Sequence, residues 1–267
     1  MNFAIGFVIY NSDKTLLERL KFLNDEGYDI FIFDNSSEVS LVRTFTSQYK
    51  KNRYFTSGKN VGLGIGLSTI CSNAYYENFN FLLFFDQDTV FTNKTIQFAK
   101  NLIYKKSDFI NNFAILSLNS KSDNNNAHPR IIKKNLIISS GSIFNLQVNH
   151  KLNWHNTRFF VDNVDYEYCL RASSSGYYLG EFTSVPEFDH VSGQEDKEYY
   201  FFKKKYMLRS YSYSRVIDSI KTYFSLFNQS IYLKNYKYLF LFIRSFLIFV
   251  YFQLLVRILN INPLKKQ

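Results

Sequence analysis

Short, almost unbroken apolar runs alternate with segments of helical period along the first half of the chain, and few folds accept that pattern. The runs are FAIGFVIY from Phe3, DIFIF from Asp29, RYFTS from Arg53, FNFLLFF from Phe79 and FAILSL from Phe113. Strands that are apolar at consecutive positions are buried on both faces, as in a parallel sheet covered by helices. Between the first two runs, SDKTLLERLKFLNDEG places Leu16, Leu17, Leu20 and Leu23 on one helical face. Ser12 or Asp13 is positioned as its N-cap and Gly27 as its stop. Residues 37–50, 63–78 and 93–106 read as further helices, and DYEYCLRASSSGYYL as a helix ended by Gly176. Residues 119–130, NSKSDNNNAHPR, read as a surface loop. IIKKNLIISSGSIF then reads as a strand and a turn, and everything from about residue 195 as helical. The expected fold is α/β, a mostly parallel central sheet with helices on both faces, followed by a basic, aromatic-rich helical extension. The expected boundary separates residues 1–196 from 197–267.

A chain of 267 residues with 46% hydrophobic and 19% aromatic content can bury a full core. Cys71 and Cys169 lack CxxC spacing and fall in expected helices, so they read as reduced core cysteines rather than a disulfide or zinc site. The start MNFAIGFVIYNSDK has no basic leader and reads as a first strand, which makes a cytoplasmic location the expectation. The net charge of +10 is uneven. Residues 197–267 hold 13 Lys/Arg against Glu198 and Asp218. That asymmetry points to an anionic membrane surface or nucleic acid, or else to a solvated basic face.

The run FLLFFDQDTVF, residues 81–91, drives five apolar residues into Asp86 and Asp88. In open α/β sheets ligands bind beyond the carboxyl ends of strands, where these aspartates fall. Side chains two apart on an extended segment point the same way. Two adjacent hard oxygen donors call for a cation, and Mg²⁺ or Mn²⁺ bound to a diphosphate fits. Asp34 ends the second strand, where it can accept from the N3–H of a pyrimidine. GKNVGLGIG, residues 58–66, is a glycine-rich helix start of the kind that approaches phosphate. It is neither GxGxxG after the first strand nor a Walker A sequence. Asp162, Asp165 and Glu167 crowd three carboxylates into six residues, which raises at least one pKa and suits a base. Asp162 or Asn163 can instead cap the following helix, and Glu167 can pair with Arg171 at i,i+4.

The motifs FDNSS, KNVGLGIG, FFDQDT, ISSGS, FFVDNVDYEYCLRASSSGY and DHVSG, in that order, resemble glycosyltransferase family 2. Within it they look most like bacterial rhamnosyltransferases of O-antigen and surface-polysaccharide assembly, and galactofuranosyltransferases share much of the pattern. The resemblance covers roughly residues 3–215 and implies the A-type nucleotide-sugar fold over residues 1–196. It implies an inverting, metal-dependent transfer, with L-rhamnose from dTDP-L-rhamnose as the first expectation and a UDP-hexose or UDP-galactofuranose as the alternative. Asp165 matches the family's general base. Asp86 and Asp88 match metal ligands, with His190 in DHVSG completing the site. Asp34, Asn60, Gly62, Asp86 and Gln87 fall where the family binds the donor, and Ser140 and Gly141 in a loop near donor sugar and acceptor. Glu167 and Arg209 are expected beside substrate, although RSYSYSRV has Val216 where the family commonly has Asn. Trp154 either stacks on an acceptor sugar or packs in the body of the fold. His128, His150 and His155 carry no such support and are expected at the surface.

The tail distinguishes the partners. Residues 238–256 are nearly all apolar, broken only by Arg244, Ser245 and Gln253. They fit peripheral or monotopic attachment to an anionic membrane better than a span, because Arg244 and Gln253 are costly at depth; a buried core helix is the other reading. The expected acceptor is a lipid-linked saccharide at the cytoplasmic face of the inner membrane, with no nucleic acid. A basic-tail nucleic-acid-binding protein is the non-enzyme alternative, and it leaves the strand-end carboxylates unexplained.

Overall fold

The computed structural model describes residues 2–38, 40–105, 110–121, 130–189, 197–201 and 204–261. They divide into two compact units, Met1–His190 and Val191–Gln267.

The first unit is built on an eight-stranded sheet. Its strands are β1 (Phe3–Ile9), β2 (Ile30–Asp34), β3 (Asn52–Thr56), β4 (Phe81–Asp86), β5 (Phe113–Leu118), β6 (Ile131–Lys133), β7 (Ser142–Asn145) and β8 (Tyr178–Phe182), in spatial order β3-β2-β1-β4-β7-β5-β8-β6. The β3-β2-β1-β4 half is parallel, as the unbroken apolar runs require. Beyond it the sheet turns mixed, because β7 runs antiparallel to both β4 and β5. The helices are α1 (Lys14–Asp25), α2 (Leu41–Thr46), α3 (Leu63–Tyr76), α4 (Asn93–Lys105), α5 (Leu146–Lys151) and α6 (Val164–Ser174).

Strand β1 shows why both faces are apolar. Phe3, Ile5, Phe7 and Ile9 join one core with Leu16, Leu20 and Leu23 of α1 and with Ile96, Ala99 and Ile103 of α4. The alternate residues face α3, where a side chain on Gly6 would strike Ile70 and one on Gly66 would strike Val8. Asp13 is the N-cap of α1 and accepts from Thr15 N at 3.0 Å. Cys71 and Cys169 are buried and unpaired with each other.

Three expectations change. The helix expected over 37–50 forms only at Leu41–Thr46. Helix α5 was not legible, although Asn145 caps it through a bond from Val148 N. The second unit does not begin as helix: β9 (Lys197–Phe201) and β10 (Lys204–Leu208) form an antiparallel hairpin, stabilised by main-chain pairing that KEYYFFKKKYML does not advertise. Helices α7 (Tyr213–Tyr232) and α8 (Tyr236–Ile261) follow.

Candidate active site

Strand register brings the site together. Ile9 pairs with Asp34 and Val8 with Asp86, so both aspartates stand at the same carboxyl edge, one on each side of β1. A cleft of about 330 Å³ opens there, lined by Tyr10, Asn35, Asn60, Gly62, Asp86, Gln87, Asp88 and Val161. Extended geometry stops at Asp86. Thr89 N donates back to Asp86 O at 3.2 Å, so Gln87 and Asp88 lie in a turn, with Asp88 exposed and Asp86 half-buried.

The turn is held from several sides. Asp86 N donates to Ser140 Oγ at 3.0 Å, and that hydroxyl also bonds Thr89 Oγ1 at 2.7 Å. Gln87 Oε1 accepts from Tyr10 N at 2.8 Å. Arg19 donates Nη1 to Thr89 O at 2.6 Å and Nη2 to Gln87 O. No motif singled out Arg19, which sits on α1 and crosses 68 residues of sequence to reach the turn. It acts as a positioning residue, because its fork bridges two carbonyls of the segment that carries both aspartates. Arg19→Lys keeps the charge and cannot make both bonds. It is expected to weaken Mn²⁺-dependent nucleotide binding roughly tenfold, since bonds from a charged donor contribute about 1.5–3 kcal/mol. Calorimetry against Mn²⁺ and UDP, with melting in EDTA as the fold control, checks this; wild-type affinity in the Lys variant rejects the bridging role.

Asp165 arrives from the other side, in the first turn of α6, where a helix N-terminus favours a carboxylate. Ser139 Oγ donates to Asp165 Oδ1, while the next residue, Ser140, holds Asp86. Burial pushes the Asp165 carboxyl up to about 6, against the pull of its Ser139 hydrogen bonds. Burial also pushes Asp86 up to about 7, and the charges of Asp165 and Asp88 add to the shift. Three carboxylates therefore converge, and the charges of Asp165 and Asp88 oppose the ionisation of Asp86.

That donor set fits a divalent cation. Among the described residues no group of three His, Cys, Asp or Glu side chains closes a metal site by itself. Two carboxylates, water and substrate phosphate oxygens are the usual company of Mg²⁺. Asp86 and Asp88 are the residues that would hold it. His190, the third ligand implied by the resemblance, lies outside the described residues.

The glycine-rich segment has a packing task that its sequence does not show. Gly62 has φ +89°, and a Cβ there would enter the Phe160 carbonyl; one on Gly64 would enter the carbonyls of Phe159 and Asn156. Leu63 N donates to Phe160 O at 2.5 Å. The helix start is pressed onto backbone 156–160, so these glycines serve close packing, while Gly62 also lines the cleft. Asn35 Oδ1 accepts from Val61 N at 3.0 Å and Asn60 Oδ1 from Gly62 N at 3.0 Å, which fixes the segment as one wall of the cleft.

Several expected site residues turn out to be supports. Asp34 is fully buried; one oxygen accepts from Ser36 N at 2.8 Å and the other from Tyr54 Oη at 2.7 Å and from Ser40 Oγ. It fastens the end of β2 and presents no surface to a base. Ser140 is buried under the aspartate turn, and the Phe188 ring sits where a Gly141 side chain would stand. Glu167 is 1% exposed and pairs with Arg171 at i,i+4, Nε to Oε1 at 2.7 Å, while also accepting from Asn156. Arg171 spends its other donors on the carbonyls of Leu152 and Trp154. This bracket shapes the 152–160 segment and holds Glu167 inside the fold. Trp154 packs against Tyr75 and Tyr76 in the last turn of α3, away from that helix's glycine-rich start. His150 is at the surface as expected, but His155 is 2% exposed and stacks on Tyr168 at 4.7 Å. Burial, with Arg171 nearby, pushes its pKa down to about 3, so it is neutral. His128 lies outside the described residues. Arg209 belongs to the second unit, where its carbonyl accepts from Gln253 Nε2 at 2.9 Å.

Comparison with known proteins bears on this arrangement. The Glycosyl transferase family 2 model matches residues 5–164, more than half of the chain. No curated protein matches. The chain is similar in structure to the 1–349 fragment of TarS from S. aureus, with TM-score 0.50 and 15% identity over 69% of this chain and 60% of that one. It is similar to a longer S. aureus TarS structure at 0.52 and 16%, over 73% and 37%. A third likeness is to GalNAc-T7 solved with UDP, GalNAc and Mn²⁺, at 0.53 and 11%, over 73% and 45%. TarS 1–349 has also been solved with UDP. At these identities the likeness establishes the fold, and the chain spans less than two thirds of each of these relatives.

Proposed function

The chain belongs to glycosyltransferase family 2, and on that premise we propose that it transfers a sugar from a nucleoside-diphosphate donor to a saccharide hydroxyl with inversion. One observation carries the reading. Asp86 and Asp88 meet Asp165 at the carboxyl edge of a parallel sheet, with Ser139 and Ser140 linking the two sides. Asp86 and Asp88 would hold Mg²⁺ or Mn²⁺, which supplies charge stabilisation to the departing diphosphate. Asp165 takes the acceptor hydroxyl's proton as the glycosidic bond forms. Ser139 keeps its carboxylate oriented, and Tyr10, Asn60, Gln87 and Val161 border the donor.

We propose dTDP-L-rhamnose as donor on the strength of the motif resemblance. A UDP-sugar is the second reading, favoured by the UDP bound to TarS and GalNAc-T7. The acceptor we propose is a lipid-linked saccharide at the cytoplasmic face of the inner membrane, reached through attachment of the basic C-terminal unit to an anionic leaflet. The test is nucleotide release by purified protein with Mn²⁺ or Mg²⁺ across a panel of dTDP- and UDP-sugars and a short lipid-diphosphate acceptor. Release with dTDP-L-rhamnose is the expected result. Release with a UDP-sugar alone moves the assignment to the second reading, and release with none, metal present, rejects the transferase reading.

A further inference from the structure

Helix α8 buries Tyr238, Phe242, Leu255 and Val256 on one face and leaves an apolar stripe uncovered on another. Phe240, Ile243, Leu247, Tyr251, Leu254 and Ile258 are exposed, at steps of three and four that draw one stripe along the helix. The polar residues that interrupt the sequence are used inside the unit. Ser245 Oγ bonds Tyr223 Oη at 2.9 Å. Gln253 is 7% exposed, donates to Arg209 O and accepts from Tyr211 N at 3.2 Å. Arg257 closes that knot with bonds to Gln253 Oε1 at 2.9 Å and Tyr211 O at 3.0 Å. A helix partnered only by water shows the opposite arrangement. Gln253 therefore costs nothing at depth, and of the three residues that interrupt the run only Arg244 is left exposed on α8.

We propose that α8 lies in the plane of an anionic membrane interface, its stripe among the acyl chains and headgroups, with α7 on the water side. The inference rests on the proposed membrane attachment and specifies its surface and mode. Length alone permits a span, since Tyr236–Ile258 is long and apolar enough to cross a bilayer. The polar residues of helix α7 oppose it, although α7 also exposes Ile217, Phe224 and Ile231. That helix runs antiparallel along α8, with Tyr223 against Phe246 and Tyr213 under Arg257. A crossing α8 would drag Asp218 and the exposed Lys221 and Asn228 of α7 into hydrocarbon. A second copy of the chain is a poorer cover for the stripe. Arg244 lies exposed in its midst, and α8 carries no acidic residue, so neither parallel nor antiparallel pairing of α8 with itself supplies a counter-charge. At an interface the Arg244 stem lies along apolar surface while its head reaches lipid phosphate. Lys234 and Lys237, beside Tyr232 and Tyr236 at the hairpin turn, offer the same contact.

The experiment labels single cysteines at Phe240, Leu247, Leu254, Lys221 and Asn228 of the full chain with an environment-sensitive fluorophore. The native Cys71 and Cys169 are buried. Phosphatidylcholine–phosphatidylglycerol vesicles carrying quenchers at defined depths report position. The expected result is one shallow depth for 240, 247 and 254, no quenching at 221 and 228, and a fall of roughly tenfold or more in vesicle partition for Arg244→Glu. A depth maximum at 247 with quenching on α7 overturns the in-plane mode and leaves attachment standing. Absence of quenching, with concentration-dependent cross-linking through 247, overturns attachment itself in favour of self-association. Neither outcome touches the transferase reading, which nucleotide release tests separately.

Discussion

Asp165→Asn is expected to lower turnover by roughly 10²–10⁴-fold with donor affinity nearly intact, the usual range for losing a general base. The substitution preserves size and the capacity to accept from Ser139 Oγ, and removes proton acceptance together with the carboxylate's charge. The wild-type pH profile carries a second signature. With the Asp165 pKa raised to about 6, the base is protonated below that value, so kcat/KM should rise as pH increases through about 6. The Asn variant should lose that limb. Stability moves in the opposite sense. A carboxyl whose folded pKa exceeds its unfolded value binds its proton more tightly in the native state. Its contribution is present at low pH and is lost as pH rises from about 4 to about 6. In EDTA at pH 7.5 the Asn variant should therefore melt at or above the wild type. Collapse of donor affinity with turnover preserved at saturation would make Asp165 a binding residue.

Asp88→Ala should abolish measurable transfer and uncouple nucleotide binding from the metal. One of the two carboxylates proposed to hold the cation disappears, and charge stabilisation at a leaving group accounts for several kcal/mol of barrier. At 1.36 kcal/mol per tenfold, roughly 10²–10³-fold or more is lost. Asp86 remains, relieved of one like charge and supported by Ser140, so the fold should not suffer. Calorimetry with dTDP and UDP, before and after EDTA, decides the matter. Wild-type protein should lose nucleotide affinity on chelation and the variant should not. Wild-type affinity that is indifferent to chelation, with full activity, would remove the metal from the site.

The residues of the site were legible to different depths. Asp86 and Asp88 stand out because a buried strand has no local reason to end on two charges. Asp165 stands out because its neighbours form a crowded acidic segment at a helix start, and Glu167 with Arg171 follows from helical spacing. Arg19 was hidden because an arginine opposite the leucine face of α1 is what any amphipathic helix would carry. The packing role of the glycines at 62 and 64 was hidden because the backbone they accommodate lies nearly a hundred residues downstream. Ser140 and Asp34 occupy the positions of ligand contacts in the motif, yet their oxygens are spent on the chain's own N–H and O–H groups. His155 looks like a surface histidine in a polar stretch, and only the packing of Phe144 and Tyr168 around it shows otherwise.

By itself the amino-acid order determined the layered α/β half, the carboxyl edge where the aspartates gather, and a basic, apolar tail. Those features are written in local periods, two residues for a strand and 3.6 for a helix, and in charges that interrupt them. Tertiary structure decided which polar groups stay free for a ligand and which are consumed, and which face of α8 is left uncovered. Hydrogen-bond satisfaction and burial depend on partners tens of residues away, and a local period carries no information about them.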